Sequence, residues 1–450
     1  MGRPLVSSPW ARLATAAAAA ALVVLAVAAP VGAAGPPTLV KDINPTGSSN
    51  PTALTLVGNT LFFAADDGVH GVELWKTDGT LAGTKMVKDI RAGAKSSEPG
   101  SLTAVGDTLF FTAVDGVHGR ELWKSDGTKA GTVMVKDINP HPKNSYCGNG
   151  IYMPYPPVAV GNRLYFFLHC GGVWSGTAWV SDGTAAGTYW LNAPYVAYPD
   201  DEDGENRVAD ALGNRLYFIV NNDANDDEIW VSDGTDSGTH RMAGSPMADQ
   251  ISFLPAHGQN LYFSTSDYVP VLPTEVRLWK TDGTKAGTKP LTDFDEISGA
   301  PDQAVLMGTR LYFADDAALW KTNGTASGTI PISNGGVSFL TTAGGRLYFT
   351  RGSHLWKSDG TAIGTLDVGQ FGTQWPSELV DVGGTLCFIE SDWDANTWSL
   401  WESNGTASTT YSVKSFVAPP DEFQRTAMNG RLYFAADDGT HGVELWSYTP

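Results

Sequence analysis

A Leu-Trp pair, or a close variant of it, returns nine times along this chain. Its tryptophans are Trp75, Trp123, Trp179, Trp230, Trp279, Trp320, Trp356, Trp401 and Trp446. The interval averages about 46 residues, and periods of that length belong to stacked or radial architectures whose units cover one another's apolar faces. Length alone would suggest two or three domains among 450 residues, but that prior fails for a chain built of repeats.

Each unit reads as four short strands. In the second unit strand a is 86–90, strand b 102–105, strand c 108–113 and strand d 121–124. Strands b and c are joined by two-residue loops such as Gly58-Asn59, Gly106-Asp107 and Gly161-Asn162, where a leading glycine suits a type II′ hairpin. Asn429-Gly430 suits the type I′ variant. Four antiparallel strands per repeat predict an all-β chain, a β-propeller of eight or nine four-stranded blades in a single domain over residues 35–450. The mature chain opens on a strand a and closes on a strand d. The N-terminal strand can therefore complete the last blade and remove an exposed edge. Nine units exceed the usual 4–8 blades, so two partial rings or an open superhelix stay open as alternatives.

Residues 1–34 read as a secretory signal peptide. Arg3 and Arg12 precede an apolar run over 14–29, and small residues follow at Val31-Gly32-Ala33-Ala34. The run is short for a membrane span. Removing it takes away two arginines and no acid, moving the net charge from −19 to −21. That balance repels nucleic acid and anionic lipid. Hydrophobic residues at 42 % exclude global disorder. The expectation is a secreted monomer, without membrane insertion.

The string Glu-Leu-Trp-Lys-Ser-Asp-Gly-Thr at 121–128, followed by Gly131-Thr132 and Val135-Lys136-Asp137-Ile138, resembles the bacterial ELWxxDGT repeat family. The resemblance covers the whole mature chain and loosens in the middle, where Ala178-Trp179 and Ile229-Trp230 stand in for Leu-Trp. It implies a secreted or surface-attached, propeller-like bacterial protein, with no activity or residue role to carry over.

Several residues are candidates for more than packing. The tryptophans on the beat read as blade core, since each unit has one at the same place in an apolar strand. Off-beat Trp174, Trp190, Trp375, Trp393 and Trp398 lie where the repeat breaks and are candidates for stacking against sugars, as are Tyr146, Tyr152, Tyr155, Tyr195 and Tyr198. Each Asp-Gly-Thr aspartate reads as a turn former, because Asn323 and Asn404 replace it within the same chain. Alternating oxygen side chains at Asp223, Asn225 and Asp227, and again at Asp392, Asp394 and Asn396, match the ligand spacing of a Ca²⁺ loop. They lack the glycine and distal glutamate of such a loop, and a solvated acidic loop is the preferred reading. His70, His118 and His441 hold one place in three units and read as hydrogen-bonding loop residues. Cys147 and Cys170 can form a disulfide stapling the divergent third unit, with Cys387 left as a small core residue.

No nucleophile, zinc, phosphate-loop or dinucleotide motif is present. The favoured function is a binding or scaffold module presenting loops to an extracellular glycan or protein. The alternative is a glycosidase or lyase using carboxylates at the mouth of a propeller.

Overall fold

Each repeat is organised around a hairpin whose turn requires a positive φ. The computed structural model describes residues 35–138, 151–169, 176–194, 196, 207–222, 226–267, 275–292, 301, 303–372, 374–392, 394–417 and 423–450. Residues Ala34–Pro450 form one unit. Strand β1 (Thr38–Lys41) is followed by β2 (Thr52–Val57), β3 (Thr60–Asp66), β4 (Val72–Thr77) and β5 (Lys85–Lys88). Gly58 opens the turn from β2 to β3 at φ +57°, which a glycine adopts without steric cost. Asn429 and Gly430 take φ +54° and +71° at the matching turn of the last repeat.

Strands β2, β3, β4 and β5 form one antiparallel sheet in that order. A sheet thus takes three strands from one repeat and the first strand of the next. The order recurs along the chain, and the described residues contain no α-helix, only 3₁₀ turns at Ala326–Gly328 and Ala407–Thr409. The chain is all-β and propeller-like in its four-stranded antiparallel units. The last two repeats share one sheet because Val417 pairs with Asp437.

The second strand of each sheet is covered on both faces. Leu61 to Ala65 in β3 are all buried, which explains its unbroken apolar run. The beat tryptophan stands directly across the ladder from the phenylalanine of this strand, as Trp75 does from Phe63. Phe263 stacks on Trp279 with ring centroids 6.0 Å apart and planes 5° from parallel, and Phe313 on Trp320 at 6.0 Å and 9°. All nine beat tryptophans are buried or half-buried. They are packing elements, as the repeat predicts, and deleting one such side chain removes several kcal/mol of packing, about 3–5 by analogy with other buried tryptophans.

Neighbouring sheets are joined by the Asp-Gly-Thr turns. Asp78 accepts hydrogen bonds from the backbone N–H and the hydroxyl of Thr80, at 2.9 and 2.7 Å. Asn323 accepts the same pair from Thr325 at 3.1 and 2.7 Å, so the turn uses the side-chain oxygen rather than its charge. Thr80 holds the Asp78 carboxyl below its ordinary value. The glycine of each turn packs under an aromatic residue of the preceding repeat: Gly127 under Phe62, Gly283 under Tyr217, Gly360 under Tyr312.

The first and last repeats meet through the same contacts. Strand β1 pairs antiparallel with strand Val443–Tyr448, setting Thr38 opposite Ser447 and Leu39 opposite Trp446. Gly79 of the first repeat lies under Tyr433 of the last. One apolar cluster contains Val40, Leu61, Phe63 and Trp75 together with Met428, Tyr433 and Leu445. Strand β2 lies against Gly100–Val105 of the next repeat and against Arg425–Met428 of the last.

Lys321 and Lys357 each donate to the carbonyl of the next repeat's turn glycine, Gly360 and Gly405. In the eighth repeat Glu402 takes this lysine's place and accepts the hydroxyls of Tyr411 and Tyr448. Cys387 beside it is fully buried, and burial raises its thiol far above the usual range.

Candidate functional site

The two ends of each sheet differ in how much they vary. At one end, first and second strands are always joined by two residues, from Val57 to Thr60 in the first repeat and from Met428 to Arg431 in the last. The turns carrying Asp-Gly-Thr at this end also keep their length through seven repeats, from Thr77 to Lys85 and from Ser358 to Leu366. These ends adjoin one another: a Cβ on Gly344 would lie 2.6 Å from the Gly384 carbonyl of the next hairpin. At the opposite end, connections between second and third strands run from as little as Arg351 to His354 up to Asp267 to Glu275. Those leading to the next repeat run from Asn334 to Ser338 in one unit and from Lys136 to Val158 in another. A loop that makes no repeated packing contact is free to change length.

The repeated polar groups at the variable end are occupied by the protein itself. Glu73 accepts from the backbone N–H groups of Ile90, Arg91 and Ser97 and from the Ser97 hydroxyl, at 3.0, 3.3, 3.2 and 2.6 Å. Glu444 accepts the equivalent four from Ile43, Asn44 and Ser49, at 3.0, 3.2, 3.1 and 2.7 Å. Burial raises both carboxyls above their ordinary range, with the serine bonds pulling the other way. His70 Nδ1 lies 2.8 Å from Asp67, and His118 Nδ1 lies 2.7 Å from Asp115. The hydrogen bond to Asp67 raises the His70 pKa. Burial pushes the Asp67 carboxyl up, but bonds from His70 and Val69 outweigh it and leave the carboxyl lowered. The histidines are hydrogen-bonded loop residues, as expected.

Of the acidic runs, Asp227, Asp392, Asp394 and Asn396 lie among the described residues. Asp227 lies in strand Asp227–Ser232, is 7 % exposed, and accepts the Ile251 backbone N–H at 2.9 Å. It therefore sits in a strand and fastens the next repeat, where the sequence suggests a loop ligand. Asp223 and Asn225 lie outside the described residues. Asp392 accepts the Ala395 N–H at 3.0 Å, closing a turn in which Asp394 and Asn396 are exposed. Among the described residues no group of three or more His, Cys, Asp or Glu side chains is placed to hold a metal ion.

The off-beat aromatics divide. Trp398 is a correction to the sequence reading: it is fully buried, stacked on Phe416 at 4.7 Å and set edge-on to Phe434, and offers no surface to a sugar. It lies in strand Thr397–Ser403, three residues before the beat tryptophan, and the elongated strand opposite it, Thr410–Val417, covers it. Trp375 is 68 % exposed on a variable connection, Trp190 is 57 % exposed on an outer strand, and Tyr152 is 58 % exposed. Tyr155 is buried. Trp174, Trp393, Tyr146, Tyr195, Tyr198 and the cysteines Cys147 and Cys170 lie outside the described residues. Sequence reasoning passed over Arg207 and Asp210, which meet at 3.4 Å beside a cavity at the variable end. Their only sequence signal is a position next to an insertion. No helix among the described residues is long and apolar enough to cross a membrane.

No protein-family model matches the chain, and no curated protein matches its sequence. Among solved structures, the computationally designed Ika8 protein is 10 % identical, with 79 % of this chain and 97 % of that one covered and a TM-score of 0.46. Porphyromonas gingivalis dipeptidyl peptidase 4 is 11 % identical over 76 % of this chain, with a TM-score of 0.49, and this chain spans 56 % of its length. The β-propeller domain of the Trilobed protease from Pyrococcus furiosus is 12 % identical, with 71 % and 98 % covered and a TM-score of 0.38. Likeness at this level says nothing of what the present chain binds or does.

Proposed function

We propose that this chain is a secreted binding or scaffold protein of the ELWxxDGT repeat type, a closed ring of nine blades that presents its variable loops to an extracellular glycan or protein. The observation that carries the reading is the contrast between the ends of the sheets. One end keeps its two-residue hairpins in every repeat and its Asp-Gly-Thr turns at one length through seven repeats, and the other bears the connections that vary most. A scaffold with one constant face and one variable face is how rigid folds support binding surfaces. Ring closure draws support from the pairing of β1 with the last strand, from Gly79 under Tyr433, and from the Glu444 bonds that reproduce those of Glu73. Secretion draws support from the pattern of residues 1–34, and a secreted chain with a new N-terminus at residue 34 or 35 is expected in the culture medium.

The test is a glycan array, together with binding to purified cell-envelope components, read with the secreted chain and two variants. Trp375→Ala at the variable end is expected to weaken saturable binding, and Leu81→Ser on an exposed constant turn to leave it unchanged. Binding lost only with Leu81→Ser would reverse the assignment of faces. Turnover of a polysaccharide, abolished by replacing one carboxylate, would make the protein an enzyme instead.

A further inference from the structure

A cavity of about 270 Å³ lies between the first strands of the third and fourth sheets along the chain. It is at the variable end, because its walls come from the residues leading into strands Val158–Val160 and Ala209–Leu212. Tyr155, Pro156, Pro157 and Val208 line it, and Arg207 and Asp210 supply the polar wall. The Arg207 guanidinium reaches Asp210 through one contact of 3.4 Å. A guanidinium carries five N–H donors, so most of them remain available to a bound molecule. Asp210 also accepts the Ala211 backbone N–H at 2.7 Å, and among the described lining residues Arg207 and Asp210 are the charged side chains, one of each sign, so this lining shows no excess of positive charge with which to select an anion. The chain's net charge of −19 opposes an anion further.

An apolar floor beside a charge-neutral pair of one donor fork and one acceptor suits a molecule with adjacent hydroxyls on one edge and C–H groups on its face. The volume falls below the ~300–1,000 Å³ of drug-sized pockets and suits one small ring. We propose that this cavity binds the terminal pyranose of a neutral glycan. Adjacent hydroxyls bridge Arg207 and Asp210, and the C–H face of the ring rests on Pro156 and Pro157. This rests on the loop-display reading above and narrows it to a sugar class and a place.

The experiment titrates the full secreted chain with methyl pyranosides of glucose, galactose, mannose and N-acetylglucosamine, with glucuronic acid as the charged control, by saturation-transfer NMR and calorimetry. At least one neutral pyranoside is expected to bind saturably. Arg207→Gln and Asp210→Asn are expected to weaken it about tenfold or more, the effect of losing a hydrogen bond to a charged group. Ala159→Trp, an exposed position on the rim, is expected to block the cavity while leaving the thermal transition in place. Absence of binding by every neutral pyranoside overturns the proposal, as does tighter binding of glucuronic acid or unchanged binding by Ala159→Trp. Glycan or protein binding that survives all three substitutions but falls with Trp375→Ala would refute the cavity and leave loop display standing.

Discussion

Ser49 donates its hydroxyl to Glu444 at 2.7 Å although the two lie 395 residues apart in the chain. The same bond joins Ser97 to Glu73 over 24 residues. In these two repeats a buried carboxylate surrounded by backbone N–H groups fastens the end of the outer strand to the sheet it completes. Glu444→Ala leaves those donors buried without an acceptor. It is expected to cost about 2–5 kcal/mol, read as a lower midpoint in urea unfolding, since buried unsatisfied groups cost roughly 1–3 kcal/mol each. Glu73→Ala is expected to cost a similar amount. If Glu444→Ala leaves the midpoint unchanged while Glu73→Ala lowers it, the terminal strand does not hold the last sheet.

The contact of Gly79 with Tyr433 gives a second measure of the same seam. A methyl group on Gly79 would lie 2.1 Å from the Tyr433 hydroxyl, and the φ of +91° is itself unfavourable for alanine. Gly79→Ala is expected to destabilise by about 1–3 kcal/mol. Tyr433→Phe removes the clashing oxygen and is expected to recover part of that loss, leaving the backbone strain. A double-mutant cycle measures the coupling. Strictly additive effects would mean that the first and last repeats do not touch in solution.

Trp398 and Trp375 are both off the repeat beat, yet they predict opposite outcomes. Trp398→Ala empties a fully buried site and is expected to cost about 3–5 kcal/mol. Trp375→Ala removes a side chain that is 68 % exposed and is expected to change stability by no more than about 0.5 kcal/mol. Thermal unfolding of the two variants checks this directly. Equal losses would place Trp375 in the core.

The histidine–aspartate pairs make stability depend on pH in a defined window. Hydrogen bonding to Asp67 raises the His70 pKa, and to Asp115 the His118 pKa, from the ordinary value of 6.5. A raised folded value contributes stability fully below 6.5 and loses it as the pH rises through the raised value. The partner carboxyls are lowered from 3.8, so their contribution is present above 3.8 and fades as the pH falls through the lowered value. The pairs thus contribute most between those two ordinary values. His70→Gln is expected to narrow its stability deficit relative to the parent on going from pH 5.5 to pH 8, as read by thermal unfolding at each pH. An NMR titration of His70 at or below the ordinary value would contradict the pairing.

Much of the fold is legible in the sequence because it is local. Gly58-Asn59 and Asn429-Gly430 announce hairpins through the φ each position needs, and Asn323 in place of aspartate shows that the turn depends on an oxygen rather than a charge. The strand Leu61 to Ala65, covered on both faces, declares itself by an unbroken apolar run. The candidate site was far less legible. Trp398 and Trp375 look alike as letters, and which one is covered depends on the length of the strand opposite. Asp227 alternates with polar neighbours as a loop ligand would, but its partner is the Ile251 backbone in another repeat. Arg207 and Asp210 carry no motif at all.

The repeat, its turns and the core position of its tryptophans were determined by the amino-acid sequence alone, because period and backbone preference act over a few residues. Which carboxylates are spent on backbone groups, which aromatics meet water, and where a cavity opens were decided only by the tertiary structure. Those outcomes depend on which segments become neighbours across hundreds of residues, and no short-range pattern encodes the partner.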